Sequence, residues 1–187
     1  MGRVEAFSDG VIAIIVTIMV LDLKVPQNTS FASLLAIWPT MMAYALSFFV
    51  VAIMWVNHHH MLHAAKRPDA ALLWANNVLL FCMSLIPFVT RYLGDNHGAP
   101  LPVATYGGEL AVTCLAFYWL QRVLAHHNRG SEAMERQFKR MQTKSAYTIA
   151  AYALAVPMAF WSVRLALVVL ILIPVFYFLP ERKLLPD

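Results

Sequence analysis

The fold class that the sequence predicts is an all-α membrane protein, one domain over residues 1–187 with six transmembrane helices per chain. Three observations predict it. The composition is 60% hydrophobic and 13% charged, with mean hydropathy +0.63, whereas a soluble domain needs about 25% charged residues to cover its surface. Long uncharged runs follow one another: no Asp, Glu, Lys or Arg lies between Lys24 and Lys66, and 21, 19 and 16 uncharged residues separate Asp69 from Arg91, Lys144 from Arg164 and Arg164 from Glu181. The basic residues then fall on alternate connections. With six spans, eleven of the 14 share the side of both termini, and only Lys24, Arg91 and Arg164 lie opposite. Basic loops stay in the cytoplasm, so both termini are expected there. The net charge of +4 is accordingly a topology signal and not a nucleic-acid footprint.

The helices follow in order. The first is expected over about 3–24, stopping at Pro26, and Asn28-Thr29-Ser30 opens the second, over 31–63, with Pro39 tolerated in its first turns or marking a boundary. Pro68-Asp69 starts the third, over 69–93, and the breaker-rich run Gly94 to Pro100 forms the longest outer loop. The fourth covers 102–126. Met134, Phe138 and Met141 recur at helical spacing within a polar stretch, which predicts a short amphipathic helix at the inner surface. The fifth and sixth, 145–162 and 163–179, form a tight hairpin. No cleavable signal peptide is expected, since no small-residue cleavage site follows Gly10–Leu21. Cys82 and Cys114 fall inside spans and read as small buried apolar residues.

Helix one is the candidate working element. Its uncharged core, Gly10 to Leu21, is fenced by Asp9 and Asp22, and twelve residues rise only ~18 Å against a hydrocarbon core of ~30 Å. Carboxylates so near the apolar middle fit a bundle interior or an ion path better than lipid on every side. On a helical wheel Gly10, Ile14, Thr17, Ile18 and Leu21 share one stripe about 100° wide, and Asp9, Ala13, Val16 and Val20 lie away from it. A plain packing seam has that pattern too. Thr17 within the stripe and Asp22 at its outer end favour a cation path, because threonine oxygens replace hydration and apolar rings exclude water. One chain has a single such helix, so the path requires several copies around an axis. Ionised Asp9 needs partners if buried, and His58, His59, Asn76 and Asn77 are expected on the same half of the bundle.

These residues resemble a known signature. Arg3-x-x-x-Phe7-Ser8-Asp9-Gly10-Val11, then Ala13-Ile14 and Thr17, is similar to that of the transmembrane protein 175 family, lysosomal potassium channels with bacterial relatives. The likeness extends through Tyr44, Ser47-Phe48, Trp55-Val56-Asn57-His58-His59, Asn76-Asn77 and Pro87-Phe88. It implies a potassium-selective or weakly selective channel of the cytoplasmic membrane, a homotetramer around a central pore lined by helix one. Ile14 matches the family's constricting isoleucine, Ile18 and Leu21 its further apolar rings, and Thr17 its pore threonine. Asp22 would sit at the outer mouth and concentrate cations. Arg3, Ser8 and Asp9, with Phe7, Trp55, His58, His59, Asn76 and Asn77, match a structural polar network behind the pore. No Thr-Val-Gly-Tyr-Gly filter is present. The implied partners are the chain's own copies, potassium and the bilayer, with no cofactor, metal or enzymatic activity.

Two rival readings arise from the titratable residues. A proton-coupled transporter would use Asp9 or Glu109. A membrane metalloenzyme would gather His58, His59, His60, His63, His126 and His127 at one face, since imidazole binds iron well. His97 is then on the wrong side, and carboxylates to complete the shell are scarce.

Overall fold

A computed structural model describes residues 2–63, 69–127 and 132–178. Those residues form seven helices: α1 Gly2–Leu21, α2 Phe31–Ala36, α3 Trp38–His63, α4 Ala70–Asp95, α5 Pro100–His127, α6 Glu132–Trp161 and α7 Val163–Phe178. By length and composition α1, α3 and α4 are apolar enough to cross a bilayer, and α7 carries a shorter apolar stretch. The α4 helix is the hub, contacting α1 and α3 on one side and α5 on the other, while α6 and α7 close the bundle behind α5. Its buried residues, including Leu72, Leu79, Met83 and Ile86, join Tyr106, Leu110, Leu120 and Leu124 of α5 in one continuous core.

Local chemistry explains the boundaries. Ser30 caps α2, its Oγ accepting the Ser33 N–H at 3.2 Å. Asp69 caps α4 through the Leu72 N–H at 2.8 Å, satisfying one of the donors a helix start leaves free. The second expected helix, 31–63, is in fact two pieces broken at Ile37. Pro39 is the cause: it has no N–H to offer, and in a continuous helix its ring would press on the carbonyl of Leu35. The expected loop 94–100 is also shorter, because α4 continues through Gly94 to Asp95 and the chain reverses at Gly98, φ +88°. Helix one ends at Leu21, three residues before the expected Lys24.

The separate amphipathic helix expected around Met134, Phe138 and Met141 is instead the first part of α6. No proline or glycine separates Glu132 from Val156, so nothing halts the helix. Phe138 is buried and Met134 and Met141 pack on the core. At 30 residues α6 is ~45 Å long, more than a bilayer core requires.

One crossing depends on a missing side chain. A Cβ on Gly94 would lie 3.0 Å from Thr40 Cα, and the Thr40 hydroxyl donates to the Gly94 carbonyl at 3.3 Å. The α3–α4 pair is therefore drawn together at this end by a close backbone approach that an added methyl would crowd.

Candidate functional site

The α1 helix has a buried back and an open front. Ser8, Ile12, Ile15 and Met19 repeat at intervals of three and four and are buried against α3 and α4. On the opposite side Gly10, Ala13, Ile14, Thr17, Ile18 and Leu21 are all exposed, with Ile14 at 58%, Ile18 at 44% and Leu21 at 81%. The five residues of the helical-wheel stripe are thus all uncovered, but the open face is wider than the stripe, since Ala13 and Val20, expected away from it, are exposed too. Thr17 donates its hydroxyl proton to the Ile14 carbonyl at 2.9 Å. That bond turns the hydroxyl into an acceptor towards its surroundings, the polarity a cation requires.

Two separate polar contacts hold the N-terminal end of α1. Ser8 donates to the Val4 carbonyl at 2.9 Å and accepts from Asn76 Nδ2 at 3.0 Å, and Asn76 Oδ1 meets His58 Nε2 at 2.7 Å. With Nδ2 committed to Ser8, Oδ1 can only accept, so the His58 Nε2 atom carries a hydrogen. All three side chains are buried. Beside them Trp55 Nε1–H donates to Asp9 Oδ1 at 2.8 Å. Asp9 is half-buried and takes the indole of Trp55, where His58, His59, Asn76 and Asn77 were the expected partners. Indole reaches further than imidazole or amide, and residues 9 and 55 lie on the flanks that α1 and α3 turn to each other.

The remaining residues of the expected network lie outside it. Arg3, Phe7 and Asn77 are exposed and line an open cleft of about 510 Å³ between α1 and α4. His59 is exposed, its ring 6.0 Å from that of Trp55 and 4.4 Å from that of His63. His63 Nδ1 in turn lies 3.8 Å from Glu5 Oε1, a second α3–α1 contact.

At the other end of α1 the expectation for Asp22 needs correction. Its carboxylate is not free to draw cations: Arg91 Nη1 lies 3.1 Å away, Arg91 Nε is 3.6 Å from Asp95, and Lys24 Nζ is 3.1 Å from Asp95. Two carboxylates and two cations alternate in one chain.

A buried hydroxyl chain behind this half was missed by sequence reasoning. Thr90 Oγ1 lies 2.7 Å from both Ser47 Oγ and the Ile86 carbonyl, and Ser47 Oγ is 2.9 Å from Tyr106 OH. The Thr90 hydroxyl donates into the pair of acceptors formed by Ser47 Oγ and the Ile86 carbonyl, and Ser47 and Tyr106 share the next bond. The chain ties α5 to α3 and α4, and Thr90 touches α1 through Met19 Sδ at 4.0 Å. The only signal was polar residues inside apolar runs, which does not tell one register from another.

The other titratable residues are engaged elsewhere. Glu109 accepts the Thr113 hydroxyl at 3.0 Å on α5. His127 Nε2 lies 3.0 Å from Asp69, joining the end of α5 to the start of α4. The Leu72 N–H, with help from His127, holds the Asp69 carboxyl below the usual carboxylate range. Among the described residues no three His, Cys, Asp or Glu side chains are grouped to hold a metal ion.

Comparison with known proteins supplies the context. Residues 3–87 match the family described as "Endosomal/lysosomal potassium channel TMEM175". Across 187 residues the chain is 40% identical to a potassium channel of Chryseobacterium sp. (strain P1-3), covering 98% of this chain and 95% of the relative. It is 33% identical to a potassium channel of Streptomyces collinus over 186 residues, covering 94% and 90%. Among solved structures, a lysosomal potassium-selective channel TMEM175 homolog from Chamaesiphon minutus superposes with a TM-score of 0.84 at 30% identity, covering 94% of this chain and 95% of that one.

Proposed function

This chain belongs to the TMEM175 family, and from that premise we propose that four copies close around a central pore lined by α1. The protein is a potassium channel and a multi-pass membrane protein, not an enzyme. In the proposed assembly it crosses the cell membrane six times with both termini in the cytoplasm, as its basic residues favour. The front stripe of each α1 contributes rings of Ile14, Ile18 and Leu21 that narrow the pore and repel water. Between the isoleucine rings Thr17 supplies outward-facing lone pairs that substitute for part of an ion's hydration shell. This arrangement gives potassium selectivity, strong or weak, without a carbonyl filter.

The observation that carries the reading is the open stripe bearing Thr17, flanked by Asp9 and Asp22 on a helix whose uncharged core is too short to face lipid on all sides. Exposed Asn77, beside α1 on α4, points the same way. A polar side chain at that depth finds its partner in a neighbouring helix and not in acyl chains. The Ser8–Asn76–His58 and Asp9–Trp55 contacts hold α1 upright from behind and conduct nothing themselves.

The test is reconstitution. Ile14→Asn channels in liposomes should show raised conductance or weakened discrimination between potassium and sodium, since an amide ring lets the constriction wet. Unchanged currents would remove Ile14 from the pore.

A further inference from the structure

We propose that Arg91 sets the electrostatic potential of the pore's outer mouth, holding it near neutral where the carboxylates alone would make it a cation trap. The proposal rests on the reading of α1 as the pore helix. Its basis is the chain Asp22–Arg91–Asp95–Lys24, with contacts of 3.1, 3.6 and 3.1 Å. Asp22 and Lys24 follow the end of α1, and Arg91 and Asp95 close the last turn of α4. The four charges sum to zero.

Stability does not account for this arrangement. Arg91 is 51% and Lys24 66% exposed, and exposed ion pairs contribute ~0–1 kcal/mol. Their field is the larger consequence. In the proposed tetramer the cluster, which begins one residue after Leu21, would repeat four times around the exit of the Leu21 ring, its field screened over about one Debye length, ~8 Å at physiological salt. With Arg91 in place the clusters cancel. Without it Asp22 and Asp95 face one remaining cation, Lys24, and each subunit carries one net negative charge. Charged vestibules raise the local concentration of counter-ions, and salt abolishes the effect.

Single-channel recording in neutral-lipid bilayers at two potassium chloride concentrations tests this. Arg91→Gln should raise potassium conductance about two- to threefold at ~20 mM salt and leave it within about 20% of wild type at ~1 M, where the Debye length is ~3 Å. Lys24→Gln removes the same charge without touching α4, and should act in the same direction should Arg91→Gln fail to assemble. Asp22→Asn should do the opposite, and the swap Asp22→Arg with Arg91→Asp should restore wild-type conductance at both concentrations. A change that is equal at low and high salt would mark Arg91 as merely structural and overturn the proposal. So would the absence of any change in channels whose conductance still responds to Ile14→Asn. Insensitivity to both Ile14→Asn and Arg91→Gln would instead defeat the pore reading beneath it.

Discussion

The two halves of α1 are fastened to the bundle by different chemistry. In the N-terminal half the helix itself supplies polar groups: Ser8 enters a buried Ser8–Asn76–His58 chain and Asp9 takes the Trp55 indole. In the C-terminal half it supplies Ile15 and Met19 to the core, touches the hydroxyl chain only through a thioether, and ends in solvent-exposed ion pairs. Buried, fully paired polar contacts fix position and orientation, and breaking one strands its partners. Apolar packing and exposed pairs resist displacement without dictating a single geometry. The N-terminal half is therefore the fixed anchor and the C-terminal half the part able to tilt. Ile14 lies at the junction, with Ile18 and Leu21 on the freer side. In the proposed pore, adjustment of the radius is expected at Ile18 and Leu21, with Asp9 stationary.

The largest effect expected from breaking this comparison is on transport. Ile14→Asn places an amide at the junction, and conductance should rise on the order of tenfold, the consequence of lowering a barrier by ~1.4 kcal/mol. Leu21→Asn, at the looser end, should give a smaller rise in the same recording. Equal effects at the two positions would remove the distinction between anchor and free end.

Next come the anchors themselves. Asn76→Leu leaves Ser8 its bond to the Val4 carbonyl but strands the buried His58 Nε2–H, and an orphaned buried group is unfavourable by about 1–3 kcal/mol. The melting temperature in detergent should fall accordingly. Tyr106→Phe removes one bond at the end of the hydroxyl chain and leaves the Thr90 contacts to Ser47 and Ile86 in place, so the loss should be nearer ~1 kcal/mol. Reversed magnitudes would mean that the hydroxyl chain, and not the serine–asparagine–histidine chain, is the rigid support. Gly94→Ala is comparable in size to the second: its methyl meets Thr40 Cα at 3.0 Å, and separating α3 from α4 is unfavourable by ~1–3 kcal/mol. Melting unaffected by that methyl would show that this crossing yields freely.

Sequence and structure agree where a pattern is local. The front stripe of α1 follows from a 3.6-residue period: all five residues found on the wheel are uncovered, although the open face is wider and takes in Ala13 and Val20 as well. Pro39 was visible as a breaker, though the break at Ile37 was not, because proline disturbs the turn before it. Contacts between distant residues were beyond such reasoning. Asp22 and Arg91 are 69 residues apart, Ser47 and Tyr106 59, and their pairing depends on helix rotation and crossing, which periodicity does not specify. The Asp9 partner failed for the same reason: His58 and His59 share α3 with Trp55, and which residue of that helix faces Asp9 depends on its rotation.

The smallest effect concerns a link outside the α1 comparison, which serves as its control. Asp69 caps α4 and meets His127 at 3.0 Å, and its carboxyl titrates below the usual range because the folded state favours the charged form. A group depressed in this way contributes stability above its unfolded pKa, ~3.9, and that contribution disappears as pH falls through the lower folded value. Melting temperature should therefore decline below about pH 4 in the wild type, with a shallower decline in Asp69→Asn. At neutral pH the substitution should be nearly silent, because asparagine also caps helices well and the Asp69 side chain is itself exposed. Potassium conductance should be the same in both proteins, since Asp69 and His127 join α4 to α5 and lie on neither flank of α1. A conductance change in Asp69→Asn as large as that of Leu21→Asn would mean that α1 is not the helix whose position governs flow.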